Sequence, residues 1–264
     1  MRTLHRIGAG LLAVTVAGGL AACSDDADDS ADTTTTQAPD DVEDTAGDEA
    51  FCGAVVEFNG AVLEVELDET SSEADVIAAG EGLAPTFQTI ADNAPADLAA
   101  PVEELNAAVQ GLTTGDAEAF NANSTFATYS TFLSGAVEAC AFETLAVTTI
   151  DYAFEGLPET IEAGTVAFEV TNTSEAEEHE LVIFRKADGE ALSFEEILNL
   201  GEEEAGDKIV FTGAGFAPLG GPPGSVLATL EPGSYAAVCF LPVGGAEDAP
   251  PHFVQGMLQE FTVE

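Results

Sequence analysis

Thr165-Val166-Ala167-Phe168-Glu169-Val170-Thr171 alternates apolar and polar positions over its whole length. Side chains along an extended chain point to opposite faces in turn, so this period of two reads as a half-buried strand. After a polar loop, Glu180-Leu181-Val182-Ile183-Phe184 follows as a second strand. Further candidates are 147–154, 209–212, 226–230, 235–240 and 258–263, with Pro232-Gly233 as a turn between two of them. Ser193 and Glu196 form a capping-box pattern that heads a helix from Phe194 to about residue 203. The Gly/Pro-rich stretch from Gly213 to Gly224 reads as an irregular loop. Seven or so short strands in residues 144–264 predict an antiparallel β-sandwich.

Upstream, the period changes. Phe51, Val55, Phe58, Val62 and Val65 recur at spacings of three and four, which places them on one helical stripe. A second helix is predicted over 72–93, bent before Pro85. A third carries Val102, Leu105, Val109 and Leu112 behind Pro101, and a fourth runs from about 116 to 141. Short connections predict an up-down-up-down four-helix bundle over residues 50–143, giving an α+β multidomain chain. In that topology Cys52 and Cys140 lie at the same end and are expected to form a disulfide. The helical segment has no His and no CxxC that would point to metal or redox use.

Arg2 and Arg6 precede an apolar run, Ile7 to Leu20, that is too short to span a bilayer. It ends in Leu20-Ala21-Ala22-Cys23, which resembles the lipobox of bacterial lipoproteins. The resemblance implies cleavage of residues 1–23 as a signal peptide before Cys23, acylation of that cysteine and anchorage outside the cytoplasm. Residues 24–49 are rich in Asp, Thr, Ala and Ser and read as a disordered acidic tether. The whole chain has 49 acids against 5 Lys+Arg, a formal net charge of −44. Beyond the leader only Arg185, Lys186 and Lys208 are basic. A surface of this sign excludes nucleic acid and anionic lipid headgroups as partners and fits a saline milieu.

Beyond the leader the chain has two histidines, His179 and His252, one methionine, Met257, and one cysteine outside the expected disulfide and lipid sites, Cys239. A thiolate, two imidazoles and a weak thioether are the ligands of an electron-transfer copper centre. The text around these residues is Asn172 with a short loop to His179-Glu180-Leu181-Val182, then Gly233-Ser234-Tyr235-Ala236-Ala237-Val238-Cys239, then His252-Phe253-Val254-Gln255-Gly256-Met257. This pattern resembles the cupredoxins, the small blue-copper proteins that include plastocyanin and azurin. The resemblance covers residues 144–264 and implies a Greek-key sandwich holding one type 1 copper. By that resemblance His179 and His252 are the imidazole ligands, Cys239 the thiolate and Met257 the axial thioether. Gly256 is expected to let the loop turn beside Met257.

Twelve residues separate Cys239 from His252, a longer loop than in the simplest cupredoxins and similar to that of copper nitrite reductases. Its insertion, 243–249, reads as acidic and flexible. Copper oxidases need further histidine-bound metals, and no nucleophile elbow flanks either histidine, so no enzymatic activity is expected. The expected function is single-electron transfer to a redox partner protein at the outer face of the membrane, with a solvent-accessible His252 edge. Phe253, Phe216 and Leu219 are candidates for the docking patch. A copper-holding or delivery lipoprotein and a metal-free interaction module are the alternatives.

Overall fold

The computed structural model describes residues 45–264 apart from positions 66, 68, 69, 201 and 247. The leader, Cys23 and the tether as far as residue 44 lie outside the described residues. Helices α1 (Thr45–Leu63), α2 (Glu73–Asn93), α3 (Ala99–Thr113), α4 (Glu118–Asn121) and α5 (Asn123–Ala139) come first. Strands β1 (Glu143–Ile150), β2 (Ala153–Glu155), β3 (Thr160–Ile161), β4 (Gly164–Asn172) and β5 (His179–Lys186) follow. Two short helices, α6 (Phe194–Leu198) and α7 (Glu202–Ala205), precede β6 (Ile209–Ala217), β7 (Gly224–Leu230), β8 (Gly233–Val238) and β9 (Leu258–Val263). Among the described residues no helix is long and apolar enough to cross a membrane.

The strands form a four-stranded sheet, β2-β1-β4-β7, facing a five-stranded sheet, β3-β9-β8-β5-β6. The expectation of a wholly antiparallel sandwich is corrected here. β1 runs parallel to β4, with Glu143 opposite Val166, and β3 runs parallel to β9. Parallel neighbours need a crossover, which β2 and β3 supply by carrying the chain across to the other sheet and back. Alternation of apolar residues is the same in either orientation, so sequence periodicity is blind to this choice.

Val166, Phe168 and Val170 of β4 and Leu181 and Ile183 of β5 point between the sheets, with Cys239 and Met257 in the same buried cluster. The opposite face of β4 is also buried. Ala167 and Leu227 belong to the core of the helical layer, together with Phe51, Phe58, Phe87 and Phe132. The helices are therefore not an isolated bundle, since they share their core with the four-stranded sheet. Polar ties reinforce the join. Asn59 Nδ2 donates to the Leu227 carbonyl at 2.9 Å, and the Tyr129 hydroxyl donates to Asn59 Oδ1 at 2.6 Å. This covers β7, an edge strand that would otherwise offer unpaired backbone groups. The disulfide joins Cys52 to Cys140 across α1 and the end of α5.

Other expectations shift in detail. α1 starts at Thr45, ahead of Phe51, and the fourth helix is broken at Ala122, whose ψ of 141° is extended. α2 continues through Pro85, and Ser72 caps it with Asp75 in a reciprocal box. Ser193 and Glu196 make the expected box, but α6 ends at Leu198. The stretch from Gly213 was expected to be a loop, yet β6 continues to Ala217. Its glycines admit a close approach. A Cβ on Gly213 or Gly215 would lie 2.8 or 2.6 Å from a Val226 methyl, so only glycine lets β6 pass over β7 there.

The few basic side chains are engaged. Arg185 contacts Asp188 and Lys208 contacts Glu190, both at 2.9 Å. With 49 acids against 5 Lys+Arg, carboxylates far outnumber the cations that could pair with them. Screening weakens that repulsion, so the melting temperature is expected to be higher in molar sodium chloride than in dilute buffer. A midpoint that falls or stays put on adding salt would refute this.

Candidate metal centre

β5 presents His179 at its first residue, and the loop leaving β8 presents Cys239. His252 opens a 3-10 turn, 252–255, and Met257 follows one residue beyond it, after Gly256. All four side chains are fully buried. The Nδ1 atoms of His179 and His252 lie 3.2 Å apart. Cys239 Sγ lies 3.4 Å from His252 Nδ1 and 4.0 Å from His179 Nδ1. An ion bound at ordinary metal–nitrogen and metal–sulfur lengths holds such donors about 3.4 to 3.8 Å apart. The triangle is therefore already the size of a coordination site. Among the described residues no other group of three or more His, Cys, Asp or Glu is gathered closely enough to hold a metal ion.

Backbone hydrogen bonds lock the donors to one another. The Cys239 N–H donates to the Met257 carbonyl at 3.2 Å, and the Met257 N–H donates to the His252 carbonyl at 3.1 Å. The Phe253 N–H closes the ring on the Cys239 carbonyl at 3.0 Å. Gly256 makes this path possible with φ +114°, a left-handed conformation that costs glycine little.

The long loop between Cys239 and His252 leaves this geometry intact because its neck is closed. Pro242 and Pro251 form a β-bridge, and the His252 N–H donates to the Leu241 carbonyl at 2.9 Å. The excursion is tied down as well. The Gly244 N–H points at both carboxylate oxygens of Glu177, at 3.1 and 3.0 Å. The segment read as flexible is thus pinned at Gly244.

Glu177 is a site residue that sequence reading missed. It also accepts from the Tyr152 hydroxyl at 3.2 Å and lies 3.6 Å from His252 Nε2. The charge of that carboxylate, behind the remote nitrogen of the His252 ring, favours a proton on that nitrogen. Tyr152, also missed, packs edge-on against the His252 ring at 5.1 Å and has φ +59°, unusual for so bulky a residue. Asn172 fixes the loop into His179 by donating to the carbonyls of Glu177 and Ala217, at 2.8 and 3.0 Å. Glu180, a third omission, accepts from the Phe240 N–H at 3.0 Å and so ties β5 to the residue after Cys239.

Burial sets the charge of the site. It pushes the Cys239 thiol up to about 12, with the Glu180 carboxylate adding to the effect. It pulls His179 down to about 4, helped by the neighbouring His252 ring, and it also lowers His252. At neutral pH the three donors are therefore a thiol and two neutral imidazoles. One expectation is corrected: His252 is fully buried and presents no solvent-accessible edge. The exposed apolar side chains in this part of the chain are instead Val254, on the His252 turn, and Leu219.

Burying these rings side by side is costly unless something binds between them, since the two Nδ1 atoms face each other and His179 Nε2 lacks a hydrogen-bond partner. Soft sulfur with two imidazoles, in a fully buried site and without a carboxylate donor, suits copper better than a hard cation. The donor set fits one type 1 copper ion, held by His179, Cys239 and His252 with Met257 beside them.

No known family model matches the chain, and no curated protein matches it in sequence. Solved structures similar to it include auracyanin from the photosynthetic bacterium Roseiflexus castenholzii, with 23% identity and a TM-score of 0.29 over 46% of this chain and 96% of that one. Auracyanin A, a "blue" copper protein from the green thermophilic bacterium Chloroflexus aurantiacus, has 17% identity and a TM-score of 0.30 over 46% and 98% of the two chains. A laccase from Pediococcus acidilactici has 14% identity and a TM-score of 0.27, over 47% of this chain and 27% of its own. These likenesses span less than half of this chain, and the copper reading rests on the donor atoms themselves.

Proposed function

We propose that the chain is an extracytoplasmic copper protein, anchored to the membrane through a lipid on Cys23, that carries single electrons without catalysing a reaction of its own. The observation that carries the redox reading is the buried triangle of Cys239 Sγ, His179 Nδ1 and His252 Nδ1, with edges of 3.2, 3.4 and 4.0 Å. When bound, copper supplies a one-electron couple, because thiolate favours Cu(I) while imidazole serves both oxidation states. The chain's part is to keep the donors still. The mutual backbone bonds, the bridged loop neck and Glu177 all oppose rearrangement when the charge changes. Export is supported by the lipobox-like leader and by the Cys52–Cys140 disulfide, a bond that persists in oxidising compartments. Val254, 56% exposed on the turn that bears His252, offers an apolar contact for a redox partner near the metal.

The test is a copper titration of the purified protein followed by visible absorption and voltammetry. An intense thiolate-to-copper band at one equivalent, with a reversible couple, is the expected result. Because the free thiol is held near 12 while the imidazoles are neutral, loading at pH 7 is expected to release one proton per ion, readable with a pH indicator. A colourless, very tight Cu(I) complex would instead indicate copper storage or delivery. Failure to take up copper with Cys239 reduced would leave a metal-free interaction module.

A further inference from the structure

A second cavity, of about 340 Å³, lies between the helical layer and the outer face of the five-stranded sheet. Val62, Leu105 and Val109 line it from α1 and α3, and Phe211 and Phe216 from β6. Its volume is at the small end of the range for ligand pockets, about 300 to 1,000 Å³. One wall carries Glu180. The residues of β5 alternate, so His179, Leu181 and Ile183 face the sandwich interior, whereas Glu180 shares the outward parity of Val182 and Phe184. Glu180 is 1% exposed. Its Oε1 is used by the Phe240 N–H, but its Oε2 has no hydrogen-bond partner. Tyr129, on the same cavity, cannot serve as donor because its hydroxyl is spent on Asn59. A buried carboxylate oxygen left without a donor is costly, and an apolar enclosure around it calls for a ligand that brings one.

We propose that this cavity binds a neutral, apolar small molecule bearing an N–H or O–H group, and that the group docks on Glu180 Oε2. An anionic ligand is disfavoured by the acceptor itself and by the net charge of −44. The site is separate from the metal centre, though it meets it back to back. The carboxylate that receives the ligand also holds the backbone next to Cys239.

N-phenyl-1-naphthylamine is a suitable probe, being neutral, aromatic, fluorescent and equipped with a single N–H. Its N-methyl derivative keeps the shape and lacks the donor. The chain has no tryptophan, and Phe126, 47% exposed, lines the cavity, so Phe126→Trp introduces a unique energy donor there. In copper-free full-length protein carrying Phe126→Trp, the probe is expected to quench the indole and gain fluorescence. The N-methyl derivative is expected to bind at least about tenfold more weakly, as fits leaving a buried acceptor oxygen unpaired. Glu180→Gln, checked for folding by circular dichroism, is expected to erase that difference. Equal affinity for the two probes in the Glu180 protein overturns the proposal, as does binding without indole quenching or no binding at all. Copper plays no part in these readouts, so they stand or fall independently of the electron-transfer reading.

Discussion

Cys239→Ser is expected to abolish the intense visible absorption of the copper-loaded protein and to weaken copper binding by more than about 100-fold, since loss of outer-sphere partners alone costs about 10- to 100-fold. The band arises from thiolate-to-copper charge transfer, and an alcohol cannot supply it. Sulfur is also the softest donor in the set, and without it the triangle reduces to two imidazoles and a thioether. The substitution is nearly isosteric. Its structural cost is a hydroxyl placed where the thiol is fully buried beside Met257, on the order of 1 to 3 kcal/mol. Near-UV circular dichroism of the metal-free variant separates that penalty from loss of the ligand. Colour that survives in a folded Cys239→Ser protein would remove the thiolate from the site and with it the proposed function.

The second large effect concerns stability. The Cys52–Cys140 bond closes a loop with a sequence separation of 88. In the chain-entropy model such a cross-link stabilises by about 4 to 5 kcal/mol, chiefly by restricting the unfolded chain. Replacing both cysteines by alanine is expected to lower the melting temperature by on the order of 10 °C for a folded region of this size. The two residues clasp the start of the helical layer to its end, where Phe51 meets Phe132 edge-on at 6.4 Å. Because Ala167 and Leu227 of the sheet sit in the same core, loosening the helices is expected to broaden or lower a single transition. A double alanine variant that melts at the temperature of the native protein would show that packing alone holds this layer. The copper band at room temperature is expected to be unchanged in that variant, because no ligand belongs to the helices.

Much of the site was legible because its residues are scarce. With two histidines, one methionine and one cysteine available beyond the leader, lipid and disulfide positions, their spacing along the sandwich segment carried information that common residues cannot. Glu177 and Glu180 show the converse. In a chain with 49 acids a single carboxylate attracts no notice, and only burial distinguishes these two from the solvated majority. The glycines at 213 and 215 misled for a related reason. Glycine usually marks turns, and its use here depends on how near Val226 comes.

Local periodicity therefore sufficed for most element types and for the inward faces of β4 and β5, since the period of side-chain direction is a property of the backbone alone. Strand orientation, the burial of His252, the closed neck of the ligand loop and the cavity behind Glu180 were settled only by packing. Each depends on which segments distant in the chain meet, and the free energy of such meetings is spread over many contacts rather than written in any one stretch.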